Sequence, residues 1–162
     1  MSKLGWGEIR QNAIKFSREW RDASREDAEA QTFWNEFFEV FGVRRRTVAS
    51  FEEPVKTLKK TYGAIDLFWP GRLLAEHKSR GKSLDKATTQ AITYIHDLQR
   101  DGREEEIPRY IIVSDFARIV LHDLEPDDQG ELFKGREHET IEIPLEDLHK
   151  NVRHFAFIIG QQ

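Results

Sequence analysis

Between Gly63 and Lys78 the chain reads Gly-Ala-Ile-Asp-Leu-Phe-Trp-Pro-Gly-Arg-Leu-Leu-Ala-Glu-His-Lys. Two short apolar runs flank Pro70-Gly71, a pair suited to a tight turn, so the segment reads as a β-hairpin. Three charged residues, Asp66, Glu76 and Lys78, stand inside these runs. An unpaired charge in a buried strand is costly. Side chains two apart on a strand share a face, which puts Glu76 and Lys78 together. Antiparallel pairing brings Asp66 alongside them. Whatever folds around this hairpin must accommodate two carboxylates and an ammonium on one face of a sheet.

The remaining elements follow from periodicity. Residues 7–22 predict an amphipathic helix, with Ile9, Ala13, Phe16 and Trp20 at helical spacing. A second helix is expected over 26–41, carrying Phe33, Trp34, Phe37, Phe38 and Phe41, with Gly42 as its stop. A first strand is expected from Val43 to Phe51, although Arg44-Arg45-Arg46 is an odd start for one. Strands over Gly63–Trp69 and Arg72–Ser79 follow. Ser83 is a plausible N-cap for a helix from Leu84 to Leu98, whose core face is Leu84, Ala87, Ala91, Ile95 and Leu98. Residues 101–106 form a charged loop. Arg109–Ser114 reads as a buried central strand, and Ala117–Leu124 pairs with it through a turn at Asp115. Residues 125–135 are loop-like, Glu139–Ile143 is an edge strand, and Pro144 opens a last short helix. A helix linking two strands makes the sheet mixed. The expectation is an α/β fold with a central mixed β-sheet flanked by helices. It forms a single domain over 1–162, with N-terminal helices (1–42), a core (43–124) and a C-terminal extension (125–162).

With 162 residues the chain can bury a sizeable core. Its 25 Lys+Arg and 29 Asp+Glu give a net charge of −4, which leaves room only for local basic strips. It has no cysteine, which excludes disulfides, zinc–thiolate sites and cysteine nucleophiles. No signal-peptide stretch and no run of membrane-spanning length is present, so a cytoplasmic location without membrane contact is expected.

Two carboxylates beside a lysine suit phosphodiester hydrolysis. Mg²⁺, with Mn²⁺ as a substitute, prefers hard oxygen ligands and retains waters. Asp66 and Glu76 are the candidate metal ligands, with the His77 carbonyl as a third oxygen. Lys78 is a candidate stabiliser of an anionic transition state, because two neighbouring carboxylates favour its charged form. A structural salt bridge is the competing reading. Glu76-His77-Lys78 is the only place in the chain where an acid stands two before a lysine. Gln90 lies four before Tyr94, on one helix face, and its amide is placed to hold a water or a phosphate. A surface glutamine beside a half-buried tyrosine is the bland alternative. Arg80, Lys82 and Lys86 flank this helix and are candidates to line a DNA path, whereas Arg44, Arg45 and Arg46 read as a solvated strand end. His77 points away from Glu76 and Lys78 and reads as a packing histidine. His122, His138, His149 and His154 show no metal-ligand spacing.

Asp66, nine intervening residues, Glu76-His77-Lys78 and a helix with Gln90 and Tyr94 together resemble the PD-(D/E)XK nuclease superfamily. Four segments extend the likeness: Gln31 to Phe38, Ile65 to Gly71, Glu76 to Ser79, and Pro108 to Phe116. Together they are similar to the N-terminal endonuclease part of type IIL (MmeI-like) restriction–modification enzymes. The resemblance implies Mg²⁺-dependent cleavage of double-stranded DNA. It also implies a glutamate on the early helix near the metal, for which Glu29 and Glu36 are candidates. Ile65 stands where the superfamily name has proline. Members of the family continue into a methyltransferase that uses S-adenosylmethionine and a target-recognition domain. No Gly-rich cofactor loop or Asn-Pro-Pro-aromatic motif is present, and Phe155 to Gly160 reads as apolar surface awaiting a neighbour. A nuclease unit from a longer methyltransferase-fused enzyme is therefore expected. The alternatives are a repair or recombination nuclease of the same superfamily and a catalytically silent DNA-binding or assembly module.

Overall fold

A computed structural model describes residues 4–125 and 139–160. The elements are α1 (Trp6–Trp20), α2 (Glu26–Val40), β1 (Ser50–Lys56), β2 (Tyr62–Trp69), β3 (Leu73–His77), α3 (Leu84–Arg100), β4 (Tyr110–Ser114), β5 (Arg118–Asp123) and β6 (Glu139–Pro144). Short 3₁₀ turns fill Arg45–Thr47, Glu104–Glu106, Leu145–Lys150 and Val152–Ile159. The strands form one sheet in chain order, β1-β2-β3-β4-β5-β6. All neighbours are antiparallel except β3 and β4, which α3 joins as a parallel pair. The fold is α/β with a mixed sheet, as the hairpin and crossover required.

Each face of the sheet carries its own core. On one face α1 presents Ile9, Ala13, Phe16 and Trp20, and α2 presents Phe33, Trp34, Phe37 and Phe38. These rings interlock edge to face, for example Trp20 against Phe33 at 5.3 Å and Phe37 against Phe155 at 5.3 Å. Such pairs add about 0.5–1.5 kcal/mol each beyond the burial of their area. On the other face α3 lays Leu84, Ala87, Ala91, Ile95 and Leu98 over Ile65, Phe68, Leu74 and Ile111. Ser83 caps α3 as expected, its Oγ accepting the Lys86 backbone N–H. Strand β3, between the two cores, is buried at every position.

Three expectations need correction. No strand runs from Val43 to Phe51. Arg45 starts a 3₁₀ turn, and its guanidinium bonds Asn35 Oδ1 at 2.8 Å and the Ala49 carbonyl at 2.7 Å while lying 3.9 Å over the Phe51 ring. Pairing therefore begins only at Ser50. The apolar stretch from Phe155 to Gly160 does not await a neighbour, since Phe155, Phe157 and Ile158 are buried in the aromatic core against α1 and α2. Its helix is not α-helical either, but two successive 3₁₀ segments. The C-terminal extension is thus continuous with the rest, through β6 in the sheet and Phe155 beneath it. The expected loop over 125–135 and His138 fall almost wholly outside the described residues.

Candidate active site

The sheet splits where β2 and β3 should go on pairing. Their ladder runs Trp69–Leu73, Phe68–Leu74, Leu67–Ala75 and then stops. Asp66 and Glu76 come next. Glu76 Oε2 accepts the backbone N–H of Asp66 at 2.8 Å, and Asp66 Oδ2 accepts the backbone N–H of His77 at 2.8 Å. Each carboxylate replaces a carbonyl that the other strand no longer offers, so no backbone donor is stranded. Strand β2 also twists here. Ile65 packs on the α3 side while Leu67, two residues on, packs on the other. On the outer flank the β1–β2 ladder omits the rung between Glu52 and Asp66, and Glu52 has φ +53°. A non-glycine residue held there costs about 1–3 kcal/mol, which the ladder on either side must offset.

Each carboxylate keeps its second oxygen free of protein hydrogen bonds among the described residues. Both residues line an open cleft of about 440 Å³, together with His77, Lys78 and Gln90. Lys78 lies one residue past β3, held by its N–H to the Ser114 carbonyl at 2.9 Å. Its ammonium donates to Gln90 Oε1 at 3.3 Å, and Gln90 Nε2 donates to the Tyr94 hydroxyl at 3.0 Å. The glutamine is thereby oriented at both ends, with oxygen toward the ammonium and nitrogen toward the phenol.

Burial pushes the Asp66 carboxyl up to about 6, against the pull of the His77 N–H, with Glu52 and Glu26 adding repulsion. Burial first, and then the charge of Asp66, push Glu76 up to about 8. On the opposite face His77 sits among Phe33, Trp34 and Phe116, with ring centroids 5.0, 5.8 and 4.2 Å away. Neither of its nitrogens has a partner among the described residues, and burial lowers it to about 3. It is a neutral packing group.

Among the described residues no group of three or more His, Cys, Asp or Glu is arranged to hold an ion. Mg²⁺ does not require one, since it commonly takes one or two carboxylates and keeps several waters. A half-buried and a buried carboxylate with free oxygens on one cleft, both hindered from ionising by desolvation and Glu76 by Asp66 as well, fit a hard divalent cation.

The other candidates scatter. Arg80 is engaged in the fold. Its Nε and Nη2 donate to the carbonyls of Ala23 and Arg21 at 2.8 and 2.7 Å, tying the loop after β3 to the α1–α2 connection. Lys82 and Lys86 are exposed at the start of α3, and neither lines the cleft. Glu36 points away, accepting from Trp20 Nε1 at 3.0 Å, and Glu29 does not line the cleft. The carboxylates that α2 and β1 do bring to it are Glu26, Asp27 and Glu52. Sequence spacing carried no sign of them, because the crossing of α2 over the sheet selects them.

Residues 11–162 match the family described as MmeI, N-terminal domain. Among solved structures, the chain is similar to one in the cryo-EM structure of a DrdV–DNA complex. The TM-score is 0.53 at 17% identity, over 92% of this chain and 14% of that one. The chain thus spans about one seventh of the length of that neighbour. No curated protein matches. The structural likeness concerns the fold alone, a mixed sheet with flanking helices. None of the helices described is long and apolar enough to cross a membrane. With nearly its whole length matched, the chain belongs to the family of MmeI N-terminal domains.

Proposed function

We propose that this chain is a Mg²⁺-dependent endonuclease unit that hydrolyses phosphodiester bonds of double-stranded DNA within a restriction–modification enzyme. The observation that carries this reading is the split hairpin, where Asp66 and Glu76 cap each other's strand and turn their free oxygens into a cleft that Lys78 also lines.

Asp66, Glu76 and the His77 carbonyl would hold the cation, which when bound polarises the phosphate and favours deprotonation of an attacking water. The chain's own residues do the rest. Lys78 presents a positive charge to the crowded anionic phosphorus centre, where it lowers the barrier more than it aids ground-state binding. Gln90 fixes the direction of that ammonium, and Tyr94 fixes Gln90. Lys82 and Lys86 offer phosphate contacts at the start of α3. S-adenosylmethionine, a methyltransferase and a target-recognition domain belong to a downstream part of such an enzyme.

Calorimetry with Mn²⁺, beside nicking of supercoiled plasmid, tests the reading. Asp66→Ala and Glu76→Ala should abolish both signals. Cation binding by both variants equal to that of the parent would overturn it.

A further inference from the structure

The β1–β2 hairpin does not end at the cleft but runs on past it. Strand β3 stops at His77, whereas β2 begins four residues before Asp66, at Tyr62. From Asp66 to Tyr62 is about 13 Å of strand at roughly 3.3 Å per residue, and the Thr57–Thr61 turn lies beyond it. The base of this arm is braced on two sides. Arg103 donates to the Pro54 carbonyl at 3.1 Å and pairs with Glu53 at 3.4 Å. Tyr94 packs so tightly on Gly63 that a Cβ there would meet its ring at 2.9 Å. Beyond these braces the tip is bare.

The tip is also preformed. Thr57 N–H donates to the Thr61 carbonyl at 2.8 Å, their hydroxyls are 2.8 Å apart, and Lys60 N–H donates to the Thr57 carbonyl at 3.0 Å. Lys60 is held at φ +61°, a left-handed position that glycine fills without strain. Lys56, Lys59 and Lys60 are all exposed, and none has an ion-pair partner among the described residues. Residues 56–62 contain three lysines and no acid, in a chain of net charge −4. Leu58 and Tyr62, 72% and 74% exposed, are the large exposed apolar side chains among the described residues, and both belong to this tip.

Scattered surface lysines or a lone exposed leucine need no explanation. Here three unpaired cations and two large apolar groups share one closed end of the hairpin that runs past the cleft. Helix α3 shows what lies on the other side. Lys86, Gln90 and Tyr94 succeed one another turn by turn, with Gly63 beyond Tyr94. Lys78 and Gln90 therefore lie between a cationic helix start, at Lys82 and Lys86, and the cationic arm. A polyanion lying along that line would meet positive charge on both sides of the cleft.

We infer that the β1–β2 tip is a DNA-clamping arm, with Lys56, Lys59 and Lys60 on phosphates of the duplex and Leu58 and Tyr62 against its sugar edges, along the duplex from the reacting phosphate. This rests on the nuclease reading. The contacts are to backbone, so the arm holds duplexes without choosing sequence.

Anisotropy titration of the intact chain with a labelled random duplex in EDTA, at several salt concentrations, tests it. Lys56→Ala/Lys59→Ala/Lys60→Gly should bind at least tenfold more weakly at about 0.1 M salt and lose about 2–3 from the log–log salt slope, one cation per lysine. Lys60→Gly alone should melt no lower than the parent yet bind more weakly, which a merely structural turn would not do. Mn²⁺ binding should be unchanged in the triple variant, which keeps the nuclease reading separate. Equal duplex affinity of parent and triple variant would overturn the arm while leaving the metal site standing. Duplex binding undetectable even for the parent would overturn it as well. So would concentration-dependent self-association that the triple variant alone loses, since the tip would then be a contact between copies.

Discussion

Glu76→Gln separates what the carboxylate pair costs the fold from what it does for a cation. In the parent, Glu76 is 2% exposed and its carboxyl is raised from 4.5 to about 8, by burial and then by Asp66. The folded state therefore holds a proton that the unfolded chain has released. Stability is unaffected below about 4.5 and falls as pH rises toward 8. Linkage puts the loss at about 1 kcal/mol at pH 5 and about 4 kcal/mol at pH 8. The amide keeps an oxygen for the Asp66 N–H but brings an NH₂ without a partner, at about 1–3 kcal/mol independent of pH. Glu76→Gln should thus be neutral or destabilising at pH 5 and stabilising by about 1–3 kcal/mol at pH 8.

The pH-independent cost cancels between the two conditions, which leaves a gain of about 3 kcal/mol. For a chain of this length that is a melting difference growing by roughly 6–12 °C from pH 5 to pH 8. Thermal melts in EDTA read it directly. Adding Mn²⁺ at about 100 times its Kd should then raise the parent by about 2.7 kcal/mol, roughly 5–10 °C, and Glu76→Gln by nothing. A melting difference that does not widen with pH would refute the electrostatic account of the pair. Equal Mn²⁺ stabilisation of both proteins would refute the metal assignment.

Lys78→Ala should slow plasmid nicking by two or more orders of magnitude, about 3 kcal/mol, with Mn²⁺ affinity held or raised in calorimetry. Gln90→Ala should cost less, about tenfold in rate, because it frees the ammonium without removing it. His77→Leu should be neutral or stabilising by up to about 2 kcal/mol in urea melts, since two nitrogens without partners leave the core. It should also flatten the pH profile. The parent's His77 is lowered to about 3, so the unfolded chain alone binds its proton between there and 6.5, and stability drops as pH falls through that window. Finally, the chain by itself should bind random and single-sequence duplexes alike in a physiological-salt assay, because its cations reach phosphates rather than groove edges.

What could be read from sequence and what could not divide along a physical line. Asp66, Glu76 and Lys78 stood out because charge inside an apolar strand is expensive anywhere, so no tertiary detail was needed to flag them. The helices were legible for the same kind of reason, Ile9, Ala13, Phe16 and Trp20 making one face of any helix that contains them. The misses concern side chains whose partners are distant in sequence. Arg45 ends the expected first strand because Asn35, on α2, and Phe51 receive it. Arg80 is drawn from the cleft by the carbonyls of Arg21 and Ala23, left open where α1 hands over to α2. Phe155 finds a pocket among Phe37 and Phe41 that no local pattern announces. Glu26 and Glu52 lie near Asp66 because of a helix crossing and a strained strand residue, features of the assembled sheet.

That division bears on how the cleft arises. A regular hairpin would satisfy the N–H groups of Asp66 and His77 by backbone pairing and leave both carboxylates idle at its surface. Here the ladder stops at Leu67–Ala75, and the carboxylates themselves take over as acceptors. The substitution does two jobs at once. It lets β2 and β3 part without stranding buried donors, and it uses only one oxygen of each carboxylate, so the other is left for the cleft. Removing either side chain should therefore injure the opening itself as well as the chemistry. Amide replacements, which keep the acceptor and lose the charge, are the variants that can tell those two roles apart.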